Sequence, residues 1–323
     1  MISAICTLFE GNYHYGVAAL SNSLYRQGFR GTIYIGYRGE LPKWALKGKK
    51  EAIGNWKDAL VLNPVEGLKL VFLPLITKYS LTNYKPDFML ELWEGPAKDA
   101  AALFYFDPDI VIHDSWSCFE QWANCGVALC EDVNSPFQEF HPRRIGWKNY
   151  FKNYNIDLQY KNQIYVNGGF VGLLKKDIFF LTLWKKLQEN MGDAIGGLDK
   201  SIFSKQTYNS TILEMDGFQI FDKSDQDALN VTIEAYNGNI SYIGKEGMGF
   251  GPGKATMFHA LGSNKPWNVN FLQRALRGRS PKVVDEWFWH YADFPVAAHA
   301  EGEKNRKMIA IKMSKFLGRF YKV

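Results

Sequence analysis

Ala100-Ala101-Ala102-Leu103-Phe104-Tyr105-Phe106-Asp107-Pro108-Asp109-Ile110-Val111-Ile112 reads as an apolar run, a short acidic step and a second apolar run. Two carboxylates one residue apart between strand-like segments are costly to bury unless a cation meets them. The arrangement suits a divalent metal carrying a diphosphate. A solvated Asp-Pro-Asp turn is the plainer reading of the same residues, so the neighbouring segments have to decide.

Upstream, strand and helix signals alternate. Ile2–Leu8 reads as a strand, and Tyr15–Gln27 as a helix with Val17, Leu20 and Leu24 at helical spacing. Gly28 and Gly31 break that helix. Thr32–Tyr37 and Leu68–Leu73 follow as strands, and Asn83–Trp93 as a helix. The alternation predicts an α/β fold, Rossmann-like, with a mostly parallel central sheet flanked by helices. Ligands of such sheets bind beyond the carboxyl ends of the strands, where the stretches 7–14 and 106–109 both fall.

Downstream, Val127–Tyr154 is rich in charged and aromatic residues and shows no clear period. Residues 134–165 read as a lobe on the acceptor side of a site, with Glu131, Asp132, His141, Arg143 and Arg144 facing it. Ile164–Val166 and Val171–Leu174 read as strands around Asn167-Gly168-Gly169, and Phe179–Gln188 as a helix. Residues 244–254 hold five glycines and a proline and read as a mobile loop.

The 323 residues are 46% hydrophobic and 15% aromatic, enough for a sizeable core and for surfaces that stack on bases or sugars. A net charge of +5 is too modest to indicate a nucleic-acid binder. Cys6, Cys118, Cys125 and Cys130 fit no common zinc spacing and read as reduced thiols of a cytoplasmic protein. The N-terminus reads as a first strand rather than a signal peptide, and no run approaches the roughly 20 apolar residues of a membrane span. From Glu301 to Val323, Lys304, Arg306, Lys307, Lys312, Lys315, Arg319 and Lys322 accompany Ile309, Met313, Phe316, Leu317 and Phe320. That pattern is a basic amphipathic helix suited to an anionic membrane surface. It predicts a domain over 1–285, a basic tail over 286–323, and attachment at the inner face of the plasma membrane.

Four segments carry chemistry. They are Thr7-Leu8-Phe9-Glu10-Gly11-Asn12-Tyr13, Asp107-Pro108-Asp109, Tyr165-Val166-Asn167-Gly168-Gly169 with Ser224-Asp225-Gln226-Asp227-Ala228-Leu229-Asn230, and His259-Ala260-Leu261-Gly262-Ser263-Asn264-Lys265-Pro266-Trp267. In this order they resemble the retaining glycosyltransferases of family 8, which have the GT-A fold and use nucleotide sugars. The resemblance runs from Met1 to about Trp267, and the Asp-Gln-Asp-x-Leu-Asn string and the His-to-Lys-Pro-Trp spacing are its most specific parts.

The resemblance implies a Mn²⁺ or Mg²⁺ ion held by Asp107, Asp109 and His259, with Asp107 also near the ribose. Lys265 would meet the phosphates, and Gly262 would let the backbone approach them. Thr7, Asn12 and Tyr13 would lie at the nucleotide, with Phe9 and Tyr13 near uracil. Asn167, Gly168 and Lys85 would contact the donor, and Asp225 and Gln226 the transferred sugar, as the catalytic pair. One of Asp225 and Asp227 also reads as a helix N-cap. The implied reaction moves a hexose from a UDP-sugar, UDP-galactose or UDP-glucose, to a glycan or lipid-linked glycan in surface polysaccharide or lipopolysaccharide synthesis. Front-side attack and a covalent route through Asp225 are both open. Two other readings exist. A nucleotidyltransferase would show a glycine-rich loop with a basic residue after the first strand, which Phe9–Tyr13 lacks. A non-catalytic carbohydrate-binding protein would not need the intact Asp, Asp, His and Lys set.

Overall fold

Strand β1 (Ser3–Glu10) is buried from Ser3 to Phe9, on both faces, as an interior parallel strand must be. In this computed structural model, which describes residues 1–200, 214–215 and 218–320, it is followed by helix α1 (His14–Arg26) and β2 (Gly31–Arg38). Strands β3 (Lys49–Ile53), β4 (Trp56–Val65) and β5 (Leu68–Pro74) come next, then α2 (Lys85–Glu94) and β6 (Ala102–Phe106). The acidic step separates β6 from β7 (Ile110–Ile112). Beyond it lie α3 (Trp116–Asn124), β8 (Val127–Cys130), α4 (Pro142–Lys152), β9 (Phe170–Leu174) and α5 (Phe179–Met191). The short strands β10 (Glu214–Met215) and β11 (Phe218–Gln219) precede α6 (Ser224–Ala235), β12 (Ile240–Ile243) and β13 (Met257–His259). Helices α7 (Phe271–Leu276), α8 (Val283–His290) and α9 (Glu303–Gly318) follow.

The chain forms two units. The first comprises Met1–Leu8, Leu75–Tyr105 and Glu120–Gly244. Its strands run in the order β12-β8-β9-β6-β1. β1 pairs with β6 in parallel, Ser3 opposite Ala102 and Cys6 opposite Tyr105. β8 is parallel to β12 and antiparallel to β9. The second unit comprises Phe9–Pro74, Phe106–Phe119 and Lys245–Val323. Its strands run β2-β5-β4-β3, with β2 and β5 parallel and the other pairs antiparallel. The α/β architecture with mostly parallel central strands and flanking helices is therefore the one that forms.

The differences from the sequence reading are local. The hairpin β3–β4 has an exposed outer strand, Lys49–Ala52, which carries no buried face for a period to mark. Helix α4 lies in the stretch without apparent period; it starts at Pro142, with the His141 side chain accepting from the Arg143 N–H. Ile164–Val166 forms only a bridge from Val166 to Glu131. Residues 244–254 contain a 3-10 turn, Lys245–Met248.

Helix α1 is buried from Gly16 through Leu24, so its polar residues must find partners inside the protein. Ser21 donates to the Val17 carbonyl and Ser23 to that of Leu20. Asn22 donates to the carbonyls of Tyr291 (2.7 Å) and Val296 (2.9 Å) and accepts from the Val296 N–H (2.7 Å). Around α1 packs the core of the second unit, with Val111, Phe258, Trp267, Phe271, Phe288, Trp289 and Ile311. The described part of 286–323, expected as a tail, thus supplies core side chains to this unit. Replacing Asn22 with Ala leaves two buried carbonyls and one N–H without partners. It is expected to lower the free energy of unfolding by roughly 3 kcal/mol, measurable by urea denaturation.

Candidate active site

The acidic step is a turn, with the Ile110 N–H donating to the Asp107 carbonyl at 3.1 Å. Pro108 occupies the second position of this turn, where its fixed φ is favoured. β7 pairs antiparallel with β13, and the register sets His259 opposite Ile110. The Ala260 N–H donates to the Asp109 carbonyl at 3.1 Å and extends the pairing past the strand end. His259 thereby stands beside both carboxylates. Its Nε2 is 3.2 Å from Asp109 Oδ1 and 3.8 Å from Asp107 Oδ2.

Lys265 completes the cluster. Its Nζ donates to Asp109 Oδ2 and, at 2.7 Å, to the Ala260 carbonyl, and lies 5.7 Å above the Tyr13 ring. Tyr13 meets Trp267 edge to face at 5.5 Å. Burial by itself would raise the Asp109 carboxyl. The adjoining His259 and Lys265 outweigh it and hold the group well below the usual carboxylate range. Burial works against the Lys265 ammonium too, and Asp109 more than offsets it, so that pKa is raised. Burial also raises the Tyr13 phenol.

One ligand atom each from Asp107, Asp109 and His259 lies within 4.8 Å of the others. Two hard carboxylate oxygens and one borderline imidazole nitrogen form a donor set that fits Mn²⁺, and Mg²⁺ less well. His259 Nδ1 is buried and has no hydrogen-bond partner among the described residues. Its ring is flanked instead by Phe250, from the glycine-rich loop, at 5.9 Å.

Helix α1 touches this step through Gly16, a residue the sequence reading passed over. A Cβ built there would lie 2.1 Å from the Pro108 carbonyl oxygen and 2.9 Å from its carbon. Only glycine lets the helix come this close. Two turns on, Ser23 Oγ accepts the Ile112 N–H at 2.9 Å. The helix thus grips the chain on both sides of Asp109. A lone glycine inside a helical pattern was the available signal.

A second polar cluster belongs to the first unit. Lys85, at the start of α2 and 1% exposed, donates from Nζ to the Gly168 carbonyl and to Asp225 Oδ2, both at 2.8 Å. The Gly168 N–H donates to Gln226 Oε1 at 3.2 Å, while the buried Gln226 Nε2 has no partner among the described residues. Asn167 donates to Asp132 Oδ2 at 2.6 Å and accepts from the Gly169 N–H at 2.9 Å. The two acids of α6 separate clearly. Asp227 accepts the Tyr165 hydroxyl (2.6 Å) and the N–H groups of Asp222 and Lys223, closing the turn into the helix. Burial pushes its carboxyl up to about 6, against those donors. Asp225 is left to pair with Lys85.

The expected site residues therefore fall into two groups. Tyr13, Asp107, Asp109, His259 and Lys265 come together in one unit, and Lys85, Asn167, Gly168, Asp225 and Gln226 in the other. Thr7 is fully buried, its Oγ1 without a partner among the described residues, and Asn12 is exposed. Gly262 has φ +90° and open space where a Cβ would be. Two residues expected to face an acceptor do not present their charges outward. Asp132 is 1% exposed and committed to Asn167, and Arg144 is buried against Glu234 at 2.7 Å.

No protein-family model matches the chain, and no characterised protein matches it in sequence. Solved structures do match. The galactosyltransferase LgtC, in complex with donor and acceptor sugar analogues, is similar over 94% of this chain and 99% of its own, with a TM-score of 0.50 at 15% identity. An active-site mutant of LgtC gives a TM-score of 0.51. The bifunctional glycosyltransferase WbbM, in its apo form, is similar over 95% of this chain, with a TM-score of 0.50 at 13% identity. This chain spans about half the WbbM structure, 52%. The fold is a glycosyltransferase fold of the GT-A type. At these identities the likeness is one of fold, and the chemistry rests on the residues themselves.

Gly16→Ala is expected to push the acidic step outward. It should weaken Mn²⁺ binding by about tenfold or more and lower stability by roughly 1–3 kcal/mol, read by metal titration and thermal unfolding. Lys85→Met strands a buried carboxylate and should cost about 3–5 kcal/mol. The double variant Lys85→Met/Asp225→Leu should recover most of that loss in the same denaturation assay.

Proposed function

We propose that the protein is a metal-dependent glycosyltransferase that moves a hexose, with retention, from UDP-galactose or UDP-glucose to a glycan or lipid-linked glycan acceptor. Surface polysaccharide or lipopolysaccharide synthesis is the process such an enzyme serves. The observation that carries this reading is the convergence of Asp107, Asp109 and His259 beside Lys265. The glycosyltransferase fold supports it.

In this reading Asp107, Asp109 and His259 would hold Mn²⁺ or Mg²⁺, which supplies Lewis-acid neutralisation of the departing diphosphate. Lys265 keeps Asp109 ionised in the absence of ligand and offers its ammonium to a phosphate oxygen. Tyr13 places an aromatic face for the uracil ring. The first unit would serve the sugar. Lys85 holds the Asp225 carboxylate in place as an acceptor for a sugar hydroxyl. Gln226, fixed through Oε1 by the Gly168 backbone, has a carboxamide N–H ready to donate. The ammonium on Asp225 weakens it as a nucleophile, which favours front-side attack over a glycosyl-enzyme.

UDP release from UDP-galactose and UDP-glucose, with and without Mn²⁺, tests the proposal. Asp107→Ala and Asp109→Ala are each expected to reduce turnover by at least about a hundredfold, and excess EDTA should abolish it. Full turnover in EDTA would remove the metal from the proposal. Binding of glycan with no affinity for UDP would favour a carbohydrate-binding protein instead.

A further inference from the structure

Helix α9 has apolar side chains on two opposite faces. Inward, Ile311 is fully buried in the core of the second unit, and Met308 and Ala310 pack against the same core. Outward, Ile309, Met313, Phe316 and Phe320 are 58%, 51%, 59% and 72% exposed. At about 100° per residue Ile309, Met313 and Phe316 fall within roughly 60° of one another, on the side away from Ile311, and Phe320 follows just past the helix end. The Phe316 and Phe320 rings meet edge to face at 5.3 Å.

The cations divide along the same line. Lys304 pairs with Asp293 at 2.6 Å, Lys307 donates to the Val269 carbonyl at 2.9 Å, and Lys315 pairs with Glu286. All three lie on the inward half of the helix. Arg306, Lys312 and Arg319 take part in no ion pair among the described residues. They bracket the outward stripe, Arg306 on one side and Lys312 and Arg319 on the other. A lone exposed apolar side chain needs no explanation, but a continuous stripe with a rim of one charge does.

We infer that the outward face of α9 is a docking surface for an anionic lipid bilayer, with the helix lying in the headgroup plane. The bare cations would meet lipid phosphates while the four apolar side chains enter the acyl boundary. A second copy of this chain fits the face poorly, because symmetry would set Arg306, Lys312 and Arg319 against like charges. Ile311 already fixes the helix to the protein, so no folding has to accompany binding. No described helix is long and apolar enough to cross a membrane, and this surface requires none. The sequence pointed to all of 301–323; the structure selects four apolar residues and three cations, with Lys322 outside the described residues. The inference is independent of the glycosyltransferase reading.

Co-sedimentation of the full chain with vesicles tests it. Binding is expected on vesicles containing phosphatidylglycerol and not on pure phosphatidylcholine, with release by high salt. Phe316→Asp/Phe320→Asp and, separately, Arg306→Glu/Lys312→Glu should each lower the bound fraction about tenfold. Circular dichroism and the thermal unfolding midpoint should stay unchanged, since none of these side chains is in the core. Equal binding to both vesicle types, undiminished binding by both double variants, or a dimer in solution that Phe316→Asp/Phe320→Asp disperses would each overturn the inference.

Discussion

A carboxylate as deeply buried as Asp109 persists only if its charge is answered where it stands. The surrounding unit does this through backbone as much as side chains. The β7–β13 register delivers His259 to one oxygen, and the turn after β13 returns Lys265 to the other. Helix α1 holds the step from behind at Gly16 and Ser23. An imidazole and an ammonium are thus drawn onto the two oxygens of one acid.

The first unit solves a related problem on its own terms. Lys85 enters the interior because Gly168 and Asp225 both receive its ammonium. A cation–carboxylate pair of this kind contributes little net stability compared with apolar packing. What it provides is an acid held in one orientation in a dry setting. Asp227, two residues along the same helix, shows the contrast: its oxygens are taken up by Tyr165 and two backbone N–H groups, and its task is to close the turn.

Much of the candidate site was legible because its residues announce themselves by type and spacing. Asp107, Asp109, His259, Lys265 and the 225–227 string stand out in an apolar or patterned context. Lys85, Gly168 and Asp225 were named separately, yet no spacing could say that one ammonium joins the other two. Gly16 was missed because its meaning lies in a carbonyl about ninety positions away. The sequence shows Asp132 and Arg144 only as charges in an aperiodic stretch; their partners, Asn167 and Glu234, become neighbours only in the folded chain.

Helix α9 shows the same division within one element. Its sequence determined that an apolar and basic helix would form, just as the alternation of strands and helices determined an α/β sheet with the acidic step at a strand end. These are local consequences of period and of turn chemistry. Tertiary structure decided which apolar stripe of α9 packs on the core and which is left outside, which lysines find acids, and which carboxylates are drawn together. Those outcomes depend on contacts between residues far apart in the chain, and a one-dimensional pattern carries no record of which distant surfaces will meet.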